Sequence, residues 1–104
     1  MDKYDVIIVG AGPAGIFAAL ELTRQRPDLK ILMLDKGPDI DKRVCPMKTR
    51  GVECQHCSPC SLLSGWGGAG AYSDGKLTLS PDVGGRLVNI LPREQVEELI
   101  REVD

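Results

Sequence analysis

Three glycines at the start of the chain, Gly10, Gly12 and Gly15, have the spacing G-x-G-x-x-G. Residues 4–9 before them, YDVIIV, form a short β-branched run that ends at glycine, which predicts a buried parallel strand. Pro13–Gln25 after them has apolar residues at helical spacing and no internal breaker, which predicts a helix. Residues 30–34, KILML, predict a second buried strand, so the glycines lie within a βαβ unit.

Each glycine has a distinct physical use in such a unit. Gly10 permits the tight turn, Gly12 lets the backbone approach a pyrophosphate, and Gly15 allows the helix to pack closely on the strand. The helix N-terminus adds unpaired N–H groups and a partial positive charge. Asp35 follows the second strand, where a carboxylate accepts hydrogen bonds from ribose hydroxyls and disfavours a 2′-phosphate. The pattern therefore predicts a dinucleotide site that does not take NADP.

Composition narrows the class of protein further. The net charge of −2 and the aromatic content of 4% argue against nucleic acid as a partner. Residues 6–20 are uncharged, but the acidic flank before them is unlike a signal peptide. The same run is too short and too glycine-rich for a membrane span. We therefore expect a cytoplasmic location and reduced cysteines.

The remainder of the chain has fewer regular patterns. Residues 36–75 are rich in Gly, Pro, Cys and Ser, and a stretch of this length is expected to be organised by a ligand or metal. Residues 76–80, KLTLS, alternate and predict a strand, and residues 93–103 have helical spacing. Two parallel strands leave open sheet edges. We therefore expect residues 1–104 to be the N-terminal part of a larger domain, inactive alone.

Residues 4–22, YDVIIVGAGPAGIFAALEL, and the later LDKG resemble the opening of FAD-dependent oxidoreductases with the glutathione-reductase-like fold. Pro13 and Ala19 occupy positions where that family often has proline and a small residue. Asp35 is a departure, because glutamate is commoner in the family at the ribose position. The resemblance implies an α/β fold: an incomplete Rossmann-like βαβ unit that binds FAD, with a long Gly/Cys-rich loop.

A second segment, residues 65–77, GWGGAGAYSDGKL, resembles the glycine-rich loop that contacts FAD in large flavoprotein dehydrogenases. Ser73 can form hydrogen bonds there, and Lys76 can face a phosphate or the flavin. The alternative for Lys76 is a solvated turn, SDGK, with Gly75 in a left-handed conformation. Trp66 is expected to be a buried anchor, with packing near the cofactor as the alternative. The predicted cofactor contacts are Gly10, Gly12, Pro13, Ala14, Gly15, Asp35, Lys36, Gly67, Gly68, Ala69, Gly70, Ser73 and Lys76.

These motifs predict the FAD-binding portion of a flavin-dependent dehydrogenase. The flavin does the redox chemistry in such enzymes, and no side chain here is assigned as a catalytic acid or base. The partner is a small-molecule substrate or an electron carrier of unknown identity. An NAD-dependent dehydrogenase and a small Cys-rich metal-binding module are the alternatives.

The four cysteines form the last motif. Cys54, Cys57 and Cys60 have the spacing C-x₂-C-x₂-C, and Cys45 is followed by Pro46. This ligand set is similar to that of a ferredoxin cluster, although the order differs because the Cys-Pro pair comes first. Zinc, a redox pair of Cys57 with Cys60, and four unreactive thiols are the alternatives. We expect one metal centre on these cysteines beside the flavin.

Overall fold

The computed structural model describes residues 2–104. It divides into two compact units, the first ending at Ser73 and the second being Asp74–Asp104. None of the helices within the described residues has the length and apolar character needed to cross a membrane.

The first unit is built on a two-stranded parallel sheet. Strand β1 (Val6–Val9) pairs with β2 (Ile31–Leu34) in the register Val6 to Ile31 and Val9 to Leu34. Helix α1 (Pro13–Gln25) forms the crossover that parallel pairing requires. The predicted α/β class, the helix and both strands are confirmed, with each strand shorter than predicted at its N-terminal end. The prediction that the strands are buried is wrong for the described residues, because every strand residue is half-buried or exposed.

The two faces of the sheet differ. Ile8 points toward α1, since a Cβ added to Gly15 would lie 3.3 Å from its Cγ2 atom. Ile7 and Val9 alternate to the opposite face and are exposed, Val9 by 82%. Ala11 and Val96 are the buried hydrophobic residues of the described chain, so each unit has only a small core.

The segment after β2 contains more local structure than the sequence predicts. Residues Ile40–Lys42 and Gly68–Tyr72 form short 3₁₀ helices, and helix α2 occupies Pro46–Arg50. Cys45 is the N-cap of α2, Pro46 is its first residue, and Gly51 ends it in a left-handed conformation. A ligand is therefore not the only source of order in this segment.

The second unit contains a 3₁₀ helix (Leu87–Asn89) and helix α3 (Arg93–Val103). The α3 bounds agree with the prediction, and its apolar face includes the buried Val96. Arg93 makes a two-point ion pair with Asp82 and a second ion pair with Glu97. The predicted strand at residues 76–80 is wrong, because this segment pairs with no other strand within residues 2–104 and Leu77 and Leu79 are exposed.

Candidate functional site

The glycine turn between β1 and α1 has the geometry that its sequence predicts. Gly10 has a φ of +106°, which L side chains rarely adopt. A Cβ at Gly15 would lie 2.0 Å from the carbonyl oxygen of Gly10, so α1 can pack this closely only with glycine there. By contrast, a Cβ at Gly12 would meet no heavy atom within 4 Å. The space next to Gly12 is therefore open.

Gly12 is also the N-cap of α1, and it has no side chain that could accept a hydrogen bond from the first turn. Pro13 follows as the first helical residue and has no N–H group. The next N–H groups, those of Ala14 and Gly15, precede the first residue that bonds within the helix, since Ile16 donates to the Gly12 carbonyl. This end of α1 thus offers donors and a positive dipole end to an anion.

Asp35 connects the end of β2 to the glycine turn. Its Oδ2 atom accepts a hydrogen bond from the Ala11 N–H at 2.8 Å, and its Oδ1 atom accepts one from the Gly37 N–H at 2.8 Å. These two backbone donors, first Ala11 and then Gly37, hold the pKa of the Asp35 carboxyl below its usual value, and the Gly65 N–H and the charge of Arg43 add smaller effects. A carboxylate has about four acceptor positions, so Asp35 keeps capacity for a ligand.

The glycine-rich loop at residues 65–70 lies against this turn. The Gly67 N–H donates to the Ala11 carbonyl at 2.8 Å. A Cβ at Gly68 would lie 3.2 Å from the Gly12 Cα atom, so the two backbones are close together. Gly65, Gly67 and Gly68 all have positive φ values. The glycine turn and the glycine-rich loop are distant in the sequence, yet they are in contact within the first unit.

A cavity of about 480 Å³ opens where these segments meet. It lies at the carboxyl ends of β1 and β2, the edge at which open α/β sheets bind ligands. Its lining combines the strand ends, the glycine turn, Asp35 and the glycine-rich loop; the residues are Val9, Gly10, Gly12, Leu34, Asp35, Lys36, Leu63, Ser64, Gly65 and Gly68. Three of these residues, Leu63, Ser64 and Gly65, were not among the predicted cofactor contacts, although Gly65 begins the glycine-rich motif.

The other predicted cofactor contacts lie outside this lining. Gly67 and Gly70 belong to the loop that packs on the turn, and Ala69 is exposed. Ser73 follows the 3₁₀ helix at the end of the first unit. Lys76 belongs to the second unit, where it pairs with Asp74 at 3.4 Å beside a left-handed Gly75, as in the solvated-turn alternative.

Arg43 is a further residue of this region that the sequence did not identify. Its side chain is only 6% exposed. Nε donates to the Ser61 carbonyl, and Nη1 donates to the carbonyls of Trp66 and Gly68, each at 2.8 Å. The guanidinium carbon lies 4.9 Å from the ring centre of Tyr72, whose hydroxyl donates to the Arg43 carbonyl. No sequence motif marks this arginine, because all its partners are distant in the chain.

Trp66 corrects one expectation. It is 39% exposed and is not the buried anchor that the sequence predicts. Its backbone carries the structural role, with the N–H donating to the Pro38 carbonyl and the carbonyl accepting from Arg43.

The four cysteines are not brought together. Cys54 and Cys57 are exposed, Cys45 and Cys60 are half-buried, and all four are free thiols. Within residues 2–104, no group of three or more His, Cys, Asp or Glu side chains is arranged to hold a metal ion. The metal centre on Cys45, Cys54, Cys57 and Cys60 stays a prediction.

The fold and the cavity define a class, a partial Rossmann-like βαβ unit with a glycine turn at the start of its helix. Comparison with known proteins narrows this class. Residues 5–74 match the sequence model of the family described as lycopene cyclase protein, and the chain belongs to that family. No solved structure matches the chain significantly.

Relatives of known sequence are similar to parts of the chain. An uncharacterized protein of Clostridium beijerinckii is 43% identical over 76 residues, which are 73% of this chain and 14% of that protein. The lycopene beta-cyclase of Pantoea ananas is 51% identical over 35 residues, 34% of this chain and 9% of the cyclase. A probable electron transfer flavoprotein-ubiquinone oxidoreductase of Acinetobacter baylyi is 36% identical over 47 residues, 40% of this chain and 8% of the relative.

The chain thus spans at most 14% of the length of these three relatives. The family and the relatives agree with the predicted class of flavin-dependent oxidoreductases. They do not identify the glutathione-reductase-like superfamily in particular.

Proposed function

We propose that this chain supplies the FAD-binding portion of a flavin-dependent oxidoreductase. The observation that carries the proposal is the cavity at the carboxyl ends of β1 and β2, whose wall joins Gly10, Gly12, Asp35 and Gly68. A dinucleotide needs an anion site and a ribose acceptor next to each other, and these residues supply both.

The pyrophosphate is proposed to lie on the glycine turn. The open space beside Gly12 accommodates a group that any side chain would obstruct. The donors at the start of α1 and the positive end of its dipole favour a negative charge there. Lys36 lines the same cavity and adds a positive charge.

The adenosine ribose is proposed to bind to Asp35. With one backbone donor already on each oxygen, the carboxylate is fixed in orientation and remains ionised at neutral pH. A fixed acceptor binds a hydroxyl pair with little loss of side-chain entropy. The same negative charge opposes a 2′-phosphate, which supports FAD or NAD over NADP.

FAD is favoured over NAD by the relatives and not by the geometry. The Acinetobacter baylyi relative is named as an oxidoreductase of an electron transfer flavoprotein. FAD, when bound, supplies hydride and single-electron transfer, while the chain's own residues bind and orient it. A flavin spectrum of the purified full-length protein distinguishes FAD from the NAD alternative.

Gly12 provides the test of the dinucleotide site. In Gly12→Ala, the added methyl group meets no protein atom, so folding is expected to be preserved. The same methyl group occupies the approach of the pyrophosphate, and FAD affinity of the full-length protein should fall by about tenfold or more. Titration of apoprotein with FAD measures this, with circular dichroism as the folding control. Unchanged affinity in a folded variant refutes the pyrophosphate assignment.

A metal centre on Cys45, Cys54, Cys57 and Cys60 is a separate proposal, supported by the spacing of the cysteines alone. The four cysteines do not form a metal-binding group in the structure. Metal binding therefore requires the segment at residues 51–60 to move toward Cys45. Iron, acid-labile sulfide and zinc are measured in anaerobically purified full-length protein. The absence of all three, together with an unaffected Cys54→Ser variant, favours four unreactive thiols.

A further inference from the structure

A single buried arginine connects the two halves of the cavity wall. Arg43 donates to three backbone carbonyls of the segment at residues 61–68, and those of Trp66 and Gly68 are both within the glycine-rich loop. Three charged hydrogen bonds from one planar group fix the course of this loop far more strictly than its glycines could.

The peptide unit between Trp66 and Gly67 transmits this constraint to the glycine turn. Its carbonyl accepts from Arg43 Nη1 at 2.8 Å, and its N–H donates to the Ala11 carbonyl at 2.8 Å. In a planar trans peptide these two groups point in opposite directions. This unit therefore lies between the guanidinium and the turn, and the position of Arg43 determines where the turn and the loop meet.

Arg43 is also directly behind the cavity wall. The Gly68 carbonyl accepts from Nη1, and a Cβ added to Gly65 would lie 2.7 Å from the Arg43 Cδ atom. Both glycines line the cavity.

The charge of Arg43 is incompletely compensated. Among the described residues, Nη2 is buried without a hydrogen-bond partner, and no carboxylate lies within ion-pair distance of the guanidinium. The Asp35 carboxylate, whose pKa the charge of Arg43 lowers, lies near enough to compensate part of this charge. A buried cation is stabilised further by a second anion close to it, and a diphosphate in the adjacent cavity is such an anion.

We infer that Arg43 is the positioning residue of the dinucleotide site, holding the glycine-rich loop on the glycine turn so that the cavity exists before FAD binds. This inference rests on the proposed function. If Arg43 orders the loop and the ordered loop binds FAD more tightly, then bound FAD must in turn stabilise the ordered loop.

The test uses the full-length apoprotein, FAD as the probe, and three variants: Arg43→Ala, Arg43→Lys and Arg50→Met. Arg50 is an exposed arginine at the end of α2 in the same unit, so its variant removes a positive charge without touching the loop. FAD affinity is measured by titration. Hydrogen exchange with and without FAD reports separately on the loop at residues 61–70 and on β1, α1 and β2.

We expect Arg43→Ala to weaken FAD binding by about tenfold or more and to remove FAD-dependent protection of the loop, while β1, α1 and β2 stay protected. Millimolar methylguanidinium, but not methylammonium, should restore part of the affinity. Arg43→Lys keeps the charge but lacks the planar fork, so its affinity should lie between those of wild type and Arg43→Ala. Arg50→Met should bind like wild type.

Two results would overturn the inference about Arg43, and a different result would overturn the proposed function. If Arg43→Ala, or Arg43→Lys should the alanine variant not fold, binds FAD as tightly as wild type, the inference is overturned and the proposed function stands. Equal loss of protection in the loop and in β1, α1 and β2, without rescue by methylguanidinium, also overturns it, because Arg43 would then be required for folding only. A folded wild-type protein that binds no FAD overturns the proposed function itself.

Discussion

Both carboxylate oxygens of Asp35 are engaged by backbone N–H groups, one in the glycine turn and one just after β2. The residue therefore has a structural role in addition to the proposed ribose contact. A short side chain suits this role, since it places the carboxylate close to both donors. This accounts for aspartate at a position where the resembling family more often has glutamate.

Replacement of Asp35 should weaken FAD binding through both roles. In Asp35→Ala of the full-length protein, we expect FAD affinity to fall by roughly ten- to a hundredfold, because a charged acceptor is lost and the turn is less fixed. Asp35→Glu keeps the carboxylate and should lose less. Asp41→Ala, which removes an exposed acid of the same unit, is the matched control for titration experiments. Unchanged affinity in Asp35→Ala contradicts the ribose assignment.

The lowered pKa of Asp35 also predicts a pH dependence of stability. The folded-state pKa is below the usual 3.8, chiefly because of the Ala11 N–H, so the unfolded chain binds more protons as the pH falls through this range. The contribution of the Asp35 charge is therefore present above about pH 4 and is lost as the pH falls through the folded-state pKa.

Thermal unfolding of wild type and Asp35→Asn across acidic pH isolates this contribution. The difference in melting temperature between the two proteins should be constant near neutrality and should shrink below pH 3.8. A difference that grows with acidification contradicts the assignment of the shift to hydrogen bonds with the ionised form.

At the scale of elements, the contact of α1 with β1 depends on Gly15. Alanine is favoured over glycine within a helix by about 1 kcal/mol. Against this, the added Cβ would be 2.0 Å from the Gly10 carbonyl oxygen, a backbone atom that cannot turn aside. Such overpacking costs about 1–3 kcal/mol and is expected to prevail.

We therefore expect Gly15→Ala to lower the free energy of unfolding, whereas Gly12→Ala leaves it nearly unchanged and affects FAD binding instead. Denaturant unfolding of the full-length variants measures the first effect. If Gly15→Ala unfolds like wild type, the helix does not pack as closely as the structure indicates.

How much the sequence predicts differs between elements for physical reasons. β1, α1, β2 and α3 were predictable because their apolar periodicity and breakers are local signals. The strand predicted at residues 76–80 was wrong because alternation predicts a strand only where a partner is available for pairing. The glycine turn was recognisable from its spacing, and the role of Arg43 was not, since its acceptors Ser61, Trp66 and Gly68 are 18 to 25 positions away.

At the scale of the whole molecule, the described residues bury little apolar surface. Ala11 and Val96 are the buried hydrophobic residues, and they lie in different units. Ile7, Val9 and Leu34 leave one face of the sheet exposed. A two-stranded sheet with an uncovered apolar face is marginal in water without further packing.

A polypeptide of residues 1–104 alone is therefore expected to bind FAD only weakly. The βαβ unit supplies the proposed pyrophosphate and ribose contacts. Because the core is small, FAD binding must also order the loop and the turn, and the conformational entropy lost in doing so reduces the affinity. After incubation with FAD and exhaustive dialysis, this polypeptide should lose its absorbance near the flavin maximum, while the full-length protein treated in parallel retains it. Stable stoichiometric flavin on residues 1–104 would show that the glycine turn, Asp35 and the loop held by Arg43 are sufficient for tight binding.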